Sequence, residues 1–438
     1  MRSPRITRKL ALLAALLATG TLACQPQSPQ AGRVLIIGID GASLAVIEPM
    51  IREGRLPNLA AIAEAGASGK LRSLTPLLSP RVWTSVATGR TPSEHGIKGW
   101  IEIPKGDREG MRIYDSHDRE VHALWNIFSR SDRSVAIVNW LMTYPPEPVN
   151  GVMITDSLYP EEVAAKRQLS SLYAKSAGGS LREPSESSEP TTWPAEWAER
   201  ATAERHRAPL LPLAVPFASL EGEFVGPLKS LATMPSRDNG IVSLALEIEA
   251  DLQPDLMMVL LQGIDRASHF SFGALRDEAE WPSEARAPAA GYRQLRDGLI
   301  DFYAYTDALI GRLVERYAAD DLVLVLSDHG FSASESFPLG EHVTDEARDG
   351  VLFARGRGIA PGAATEDVSV LDIAPSVLAW VGLPVAEDMP GHVAGFLRAE
   401  PVPAIASYED EPIPRLSRTR SGREAERIEE LRALGYVE

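Results

Sequence analysis

The chain has 438 residues, of which 44% are hydrophobic and 24% are charged, enough for a large buried core in one big domain or two ordinary ones. Its formal charge of −16 argues against a general nucleic-acid binder, which needs a basic surface to contact phosphate groups. We therefore expect no binding to nucleic-acid duplexes, and an anionic substrate would have to be attracted locally, for example by metal ions.

The first 23 residues have the pattern of a secretory signal peptide. A positively charged head precedes the apolar run LALLAALLATGTLA, which is too short to span a membrane, and the only cysteine, Cys24, follows at once. This order resembles a bacterial lipoprotein signal, whose cysteine carries the lipid. The alternative, a buried thiol, does not explain the position of Cys24 between an apolar run and a polar stretch.

We therefore predict a mature chain that begins at Cys24 and contains no disulfide. A lipid anchor would hold it on a bacterial membrane outside the cytoplasm, facing the periplasm, with residues 24–33 as a flexible tether. Removal of the signal, with its four basic and no acidic residues, changes the formal charge from −16 to −20.

Residues 34–40, VLIIGID, predict a strand that is buried on both faces and followed by a carboxylate. Asp40 is either a helix cap, which is the usual role of an aspartate at this position, or part of a site. Residues 44–65 then predict helix on both sides of Pro57.

Hydroxyl side chains crowd residues 79–88, where Pro80 occupies a favoured position in the first turn of a helix. Ser79 can act as a cap of this helix. Alternatively, because a helix N-terminus attracts phosphate, a metal ion bound there could make Ser79 a nucleophile.

The middle of the chain is less regular. Residues 124–130 predict a helix, residues 135–139 predict a strand, and the proline-rich residues 143–156 lead into another short strand. Between residues 158 and 240 the composition changes and little periodicity is left, which indicates an inserted cap rather than a second folded domain.

Residues 255–269, DLMMVLLQGIDRASH, predict a third strand that runs into a polar segment. Asp265 and His269 are four residues apart, so a helix would place both side chains on one face, as a shared metal ion requires. The alternative is the solvated first turn of an ordinary helix. Residues 297–318 predict a long amphipathic helix.

Residues 321–330, DLVLVLSDHG, repeat the pattern seen at Asp40, because an uninterrupted apolar strand ends in Asp328 and His329. His342 lies in the loop that follows, before a fourth apolar strand near residues 351–354. A helix and turn at residues 371–393 close the fold, and residues 401–438 form a C-terminal tail.

Buried strands that alternate with helices predict a three-layer α/β/α sandwich with a mainly parallel central sheet and the inserted cap. In open α/β sheets ligands bind at the carboxyl ends of the strands, where the candidate groups are expected to meet. Carboxylates and imidazoles without cysteine suit zinc or manganese, and seven groups are more than one tetrahedral ion needs, so two ions are the economical count. The seven candidates are Asp40, Ser79, Asp265, His269, Asp328, His329 and His342.

The ordered motifs resemble the type I phosphodiesterase and nucleotide pyrophosphatase branch of the alkaline phosphatase superfamily. The segments that carry the resemblance are VLIIGIDG, SPRVWTSVATGRTPSEHGI, TYPPEPVNG, GIDRASH, LVLSDHGF and DIAPSVLAWVGLP. The resemblance places a catalytic domain at residues 34–400 and implies two zinc ions, with manganese as an alternative. One zinc would be bound by Asp40, Ser79, Asp328 and His329, and the other by Asp265, His269 and His342.

This resemblance implies an enzyme that hydrolyses phosphate mono- or diesters of small molecules or lipid headgroups, through a phospho-serine at Ser79. Thr84 and Ser85 are alternative nucleophiles. A sulfatase would share the fold but needs an arginine four residues after its cysteine or serine, where this chain has Trp83. A phospho-group transferase would be a related enzyme, and a surface lipoprotein with a decayed metal site would have no catalytic activity.

Overall fold

Nine strands in the described part of the chain form a single central sheet, and six short strands form three separate pairs. The computed structural model describes residues 32–102, 112–158, 190–204, 210–211, 213, 215–217, 229–286, 289–365 and 367–416. The predicted signal peptide, Cys24, much of the predicted cap and the end of the tail lie outside these residues, so what was predicted for them stays a prediction.

The strands alternate with helices along most of the chain. In chain order the strands are β1 Val34–Ile39, β2 Ala67–Leu71, β3 Ile101–Glu102, β4 Arg112–Ile113, β5 Val135–Trp140, β6 Gly151–Thr155, β7 Thr192–Trp193, β8 Leu256–Leu261, β9 Leu322–Leu326, β10 Ser332–Ala333, β11 Gly340–Glu341, β12 Gly350–Arg355, β13 Ala363–Ala364, β14 Val385–Ala386 and β15 Ala404–Ile405.

The α-helices of the described residues span Leu44–Arg52, Pro57–Ala65, Ser79–Thr88, Pro92–His95, Leu124–Arg130, Trp197–Glu204, Met234–Leu252, Gly263–Ser271, Ser283–Arg286, Ala289–Val314 and Ile373–Trp380. Short 3₁₀ helices span Ser116–Asp118, Lys229–Thr233, Phe272–Leu275, Glu278–Glu280 and Val370–Asp372. Within this described part, no helix combines the length and the apolar character that crossing a bilayer requires.

β1 lies in the middle of the sheet, whose strand order is β13-β2-β12-β9-β1-β8-β5-β6-β7. It pairs in parallel with β8 and β9, and all six of its residues are buried, which explains its uninterrupted apolar sequence. The register places Ile39 opposite Leu261 and Gly38 opposite Leu326. The three central strands therefore end at the same edge of the sheet.

Helices cover both faces of the sheet. Alternate residues of β1 point to opposite faces, so Leu35 and Ile37 join one apolar cluster while Val34 and Ile36 join the other. β12 and β7 pair antiparallel with their neighbours, and the five strands from β9 to β6 in the sheet order run parallel. The predicted three-layer α/β fold with a mainly parallel sheet is confirmed.

The helix Met234–Leu252 differs from the sequence prediction, which places irregular structure between residues 158 and 240 and the next regular element within residues 255–269. This helix is 19 residues long, and its Leu244 and Ile248 are buried in the apolar cluster on the sheet face that holds Leu35 and Ile37. Its first turns contain buried polar residues, among them Asp238 and Asn239. Because these residues interrupt the apolar stripe of an amphipathic helix, the sequence pattern does not reveal it.

Gly38 offers a test of how tightly the central layer is packed. A Cβ at this position would lie 2.6 Å from Leu260 Cδ1 and 2.7 Å from the ring of Trp83. We expect Gly38→Ala to lower the free energy of unfolding by about 1–3 kcal/mol, because a buried strand and a buried indole must move apart. Urea denaturation measures this change.

Gly395→Ala is the matched control, because a Cβ at Gly395 would meet no atom within 4 Å. Its unfolding free energy is expected to stay within about 0.5 kcal/mol of wild type. Equal destabilisation by the two substitutions would contradict the packing described at Gly38.

Candidate active site

The carboxyl ends of the three central strands each deliver an acidic side chain to one edge of the sheet. Asp40 follows β1, Asp265 lies in the first turn of the helix after β8, and Asp328 and His329 follow β9. All four side chains are buried, with Asp328 and His329 completely inaccessible. Neighbouring parallel strands thus bring together residues that are far apart in the sequence.

Gly41 makes this convergence possible. Its φ of +68° favours glycine, and a Cβ here would lie 3.0 Å from Asp265 Cα. Its backbone N–H donates to Asp328 Oδ1 at 3.3 Å. The turn after β1 therefore fits between the loops that follow β8 and β9, as only a residue without a side chain can.

Ser327 connects the turn after β1 with the loop that follows β9, and the sequence pattern indicates no role for it. Its Oγ accepts a hydrogen bond from the Ala42 N–H at 2.9 Å and donates to the His329 carbonyl at 2.6 Å. These bonds hold the backbone of His329 against the end of β1. No local pattern indicates this role, because both partners are defined by the fold.

Ser79 is the first residue of the helix Ser79–Thr88 and is 1% exposed. Its Oγ donates to Asp40 Oδ1 at 3.2 Å and lies 3.4 Å from His329 Nε2. The hydroxyl thus points toward the acidic edge of the sheet and does not serve as the helix cap, which is the position of Leu78.

The two alternative nucleophiles have other partners. Thr84 Oγ1 donates to the Pro80 carbonyl at 2.6 Å, within the same helix. Ser85 Oγ lies 3.0 Å from His95 Nε2, and His95 Nδ1 accepts from the Ile97 N–H. Of the three candidate hydroxyls, the structure brings Ser79 to the carboxylates.

Three imidazoles lie beside the carboxylates. The rings of His329 and His342 are stacked with their centroids 4.2 Å apart, and His269 lies 5.2 Å from His342. The helix Gly263–Ser271 places His269 Nε2 3.7 Å from Asp265 Oδ1, which is the result of their four-residue spacing. All seven residues predicted from the sequence therefore meet at this edge.

Two groups of side chains have ligand atoms within 4.8 Å of one another. They are Asp40 with Asp328 and His329, and Asp265 with His329 and His342. The first group agrees with the ligands that the sequence resemblance implies for one ion. In the second group His329 stands where the resemblance implies His269, so the division of ligands between two ions stays a prediction.

A family model described as type I phosphodiesterase/nucleotide pyrophosphatase matches residues 34–378, which is most of the chain. The chain belongs to this family. The family is named for hydrolases that cleave phosphodiester and pyrophosphate bonds, so the predicted class, a hydrolase of phosphoric ester bonds, is confirmed at the level of the family. No curated protein sequence matches the chain.

Solved structures with a similar arrangement include three hydrolases of phosphorus compounds. Phosphonoacetate hydrolase from Sinorhizobium meliloti is 18% identical over 69% of this chain and 58% of its own, with a TM-score of 0.42. Human ectonucleotide pyrophosphatase/phosphodiesterase 5 is 11% identical over 85% and 97%, with a TM-score of 0.46. Phosphonate monoester hydrolase from Silicibacter pomeroyi is 15% identical over 82% and 75%, with a TM-score of 0.47. The chain thus spans less than two thirds of the phosphonoacetate hydrolase.

The electrostatics of this phosphodiesterase-family site favour a bound cation. Burial and the nearby Asp328 and Asp265 carboxylates raise the pKa of Asp40 well above its usual range. Burial also raises the pKa of Asp328 to about 7, and the Asp265 charge acts in the same direction. A metal ion bound between these carboxylates would neutralise their charge, as the bound protons do in its absence.

The pKa values and the orientation of the imidazoles suit them to act as metal ligands. Burial, together with the neighbouring His329 and His269, lowers the pKa of His342 to about 2, and burial lowers that of His269 as well. Neutral rings keep a lone pair for a metal. His329 Nδ1 lies 2.9 Å from the Gly330 carbonyl, and donation there assigns the lone pair to Nε2, which faces the carboxylates.

One further observation indicates that these side chains are suited to bind a metal ion. Asp265 Oδ1 and Asp328 Oδ2 are buried yet accept no hydrogen bond from any described residue. A buried carboxylate oxygen is stable when it is paired, hydrogen-bonded or bound to a metal. The oxygen and nitrogen donors suit Zn²⁺ or Mn²⁺.

Asp328→Asn tests this interpretation of the charges in metal-free protein. We expect it to raise the free energy of unfolding at pH 7.5 with chelator by about 1–3 kcal/mol, because one unsatisfied buried charge is removed. Asp328 binds its proton more tightly in the folded than in the unfolded chain, so the metal-free wild type loses stability as the pH rises from about 4 through about 7. The gain from Asp328→Asn therefore shrinks near pH 4.

Chemical denaturation at both pH values, with and without Zn²⁺, measures these effects. The exposed Asp320 provides the control, and Asp320→Asn is expected to change the unfolding free energy by less than about 0.5 kcal/mol. Zn²⁺ should stabilise the wild type and Asp320→Asn more than Asp328→Asn. If Zn²⁺ stabilised Asp328→Asn as much as it stabilises the wild type, Asp328 would not be a metal ligand.

Proposed function

We propose that the protein is an extracytoplasmic, metal-dependent hydrolase that cleaves phosphate mono- or diesters through a phospho-serine at Ser79. One observation carries the proposal. Ser79 Oγ lies 3.2 Å from Asp40 Oδ1 and 3.4 Å from His329 Nε2, so a nucleophile stands beside two members of a group able to hold a metal.

The chain also supplies a place for the phosphate. Ser79 begins a helix of 10 residues, and the positive end of the helix dipole attracts an anion. The acidic side chains opposite would repel that anion. Two bound Zn²⁺ ions, or Mn²⁺, would neutralise the phosphate oxygens and lower the pKa of the attacking hydroxyl.

The proposed reaction has two displacements at phosphorus. In the first, Ser79 Oγ forms a bond to phosphorus, the ester P–O bond breaks, and the alcohol leaves with a proton. Asp40 Oδ1 accepts the hydrogen bond of Ser79 and so fixes the position of the attacking oxygen. In the second, water attacks the phospho-serine and releases the phosphate, which restores the Ser79 hydroxyl.

The sulfatase alternative finds no support at residue 83. Trp83 is fully buried, and its indole makes a perpendicular contact with Trp140 at 5.1 Å between ring centroids. A core indole occupies the position at which a sulfatase would need a guanidinium. Phosphoester hydrolysis is therefore the function that we propose.

Ser79→Ala tests the nucleophile. We expect kcat/KM for an aryl phosphate ester, with Zn²⁺ supplied, to fall by ~10³-fold or more, because the covalent intermediate can no longer form. Ser85→Ala makes the same chemical change on the same helix and should retain kcat/KM within about 10-fold. If Ser85→Ala lost activity while Ser79→Ala retained it, Ser79 would not be the nucleophile.

The same assay, run with an aryl phosphate monoester and the matching diester, defines the substrate class. A higher kcat/KM for the diester would direct the search to small-molecule or lipid-headgroup diesters. A higher value for the monoester would instead mean that the site serves a terminal phosphate. Ser79→Ala is the blank for both substrates.

Cys24→Ser tests the proposed location. We expect the full chain, expressed in a bacterium, to be found in the membrane fraction and in the detergent phase after phase separation, because the lipid on Cys24 anchors it. Cys24→Ser should move to the aqueous phase with its phosphoesterase activity unchanged. Recovery of Cys24→Ser in the detergent phase would exclude this anchor.

A further inference from the structure

Phe331 lies at the centre of the three histidines, and the reaction described above gives it no role. Its side chain is 3% exposed, two residues after His329. The Phe331 ring centroid lies 5.0 Å from that of His269, 5.7 Å from that of His329 and 5.4 Å from that of His342. A single aromatic ring thus contacts each imidazole.

The same ring reaches the end of the central strand. A Cβ on Gly41 would lie only 2.7 Å from Phe331 Cε2, so the turn after Asp40 packs directly on the ring. Phe331 therefore contacts the segments that supply the aspartate and histidine candidates: the turn after β1, the helix that carries Asp265 and His269, the end of β9, and the loop with His342.

The geometry of these contacts restrains the imidazoles. The Phe331 ring meets His269 at 86° and His342 at 79°, which is the edge-to-face arrangement that aromatic rings prefer. The χ2 torsion of a histidine has a broad energy well, so neighbouring atoms must define the direction of its nitrogens. Metal ligation tolerates displacements of only about 0.2 Å.

We propose that Phe331 is a positioning residue for the metal centre, whose ring holds the imidazoles of His269, His329 and His342 in the orientation that binds metal. This inference rests on the metal-dependent function proposed above. The ring also shields one side of the ligand cluster from water, which strengthens charge interactions within it.

If Phe331 had a purely structural role, its replacement would have different effects from those expected for a positioning residue. Phe331 belongs to the large apolar cluster of its sheet face, as does Phe272, whose ring centroid lies 5.6 Å away. If Phe331 only filled space, its replacement would lower stability and leave the metal affinity of the folded protein unchanged. The two roles therefore differ in metal affinity and in ligand geometry.

The test uses the full chain and Co²⁺, which takes the same ligands as Zn²⁺ and has a visible spectrum that reports coordination geometry. We expect Phe331→Leu to raise the dissociation constant for Co²⁺ by about 10-fold or more and to change the intensity of the visible bands. Phe331→Met, a second variant without the ring, should do the same and replaces Phe331→Leu if that variant does not fold.

Phe272→Leu is the matched control, because it removes the same ring from the same cluster. Its Co²⁺ dissociation constant should stay within about twofold of wild type, with an unchanged spectrum. Wild-type affinity and spectrum in folded Phe331→Leu or Phe331→Met would overturn the positioning role and leave the proposed function intact. Failure of the wild type itself to bind Co²⁺ would overturn the proposed function and this inference together.

Discussion

The mutual repulsion of three buried carboxylates is the constraint on which the rest of the site depends. Asp40, Asp265 and Asp328 lie at the ends of three adjacent strands, where water cannot solvate them. The cost of burying charge in this way is large unless a cation is present. The lowered pKa values of His269 and His342 are consistent with this requirement. So are the carboxylate oxygens that accept no hydrogen bond from the described residues and the nearby hydroxyl of Ser79.

The part of the fold that the sequence predicts is the part with a local signature. A strand buried on both faces is uniformly apolar, so β1, β8 and β9 could be recognised, and the acids that follow them were visible as breaks in the pattern. The sheet order could not be read in the same way, because β1 pairs with strands more than two hundred residues later. The helix Met234–Leu252 was not predicted because several of its polar residues are buried, which interrupts the usual amphipathic pattern.

Some residues of the candidate site likewise have a local sequence signature, and others have none. Asp265 and His269 form a helical pair whose spacing is visible in the sequence, and Ser79 lies at a recognisable helix start. Phe331 and Ser327 carry no such mark, since each acts through contacts with distant segments. Chemically reactive side chains can therefore be found from sequence, whereas the residues that hold them in place emerge from packing.

The distribution of the ligand candidates along the chain has a consequence for how the protein matures. They extend from Asp40 to His342, and the intervening strands are needed to bring them together. A nascent chain that ends before His342 lacks part of this cluster. A metal ion held by the whole cluster would therefore be bound only after the strands have come together, in the compartment where the chain folds.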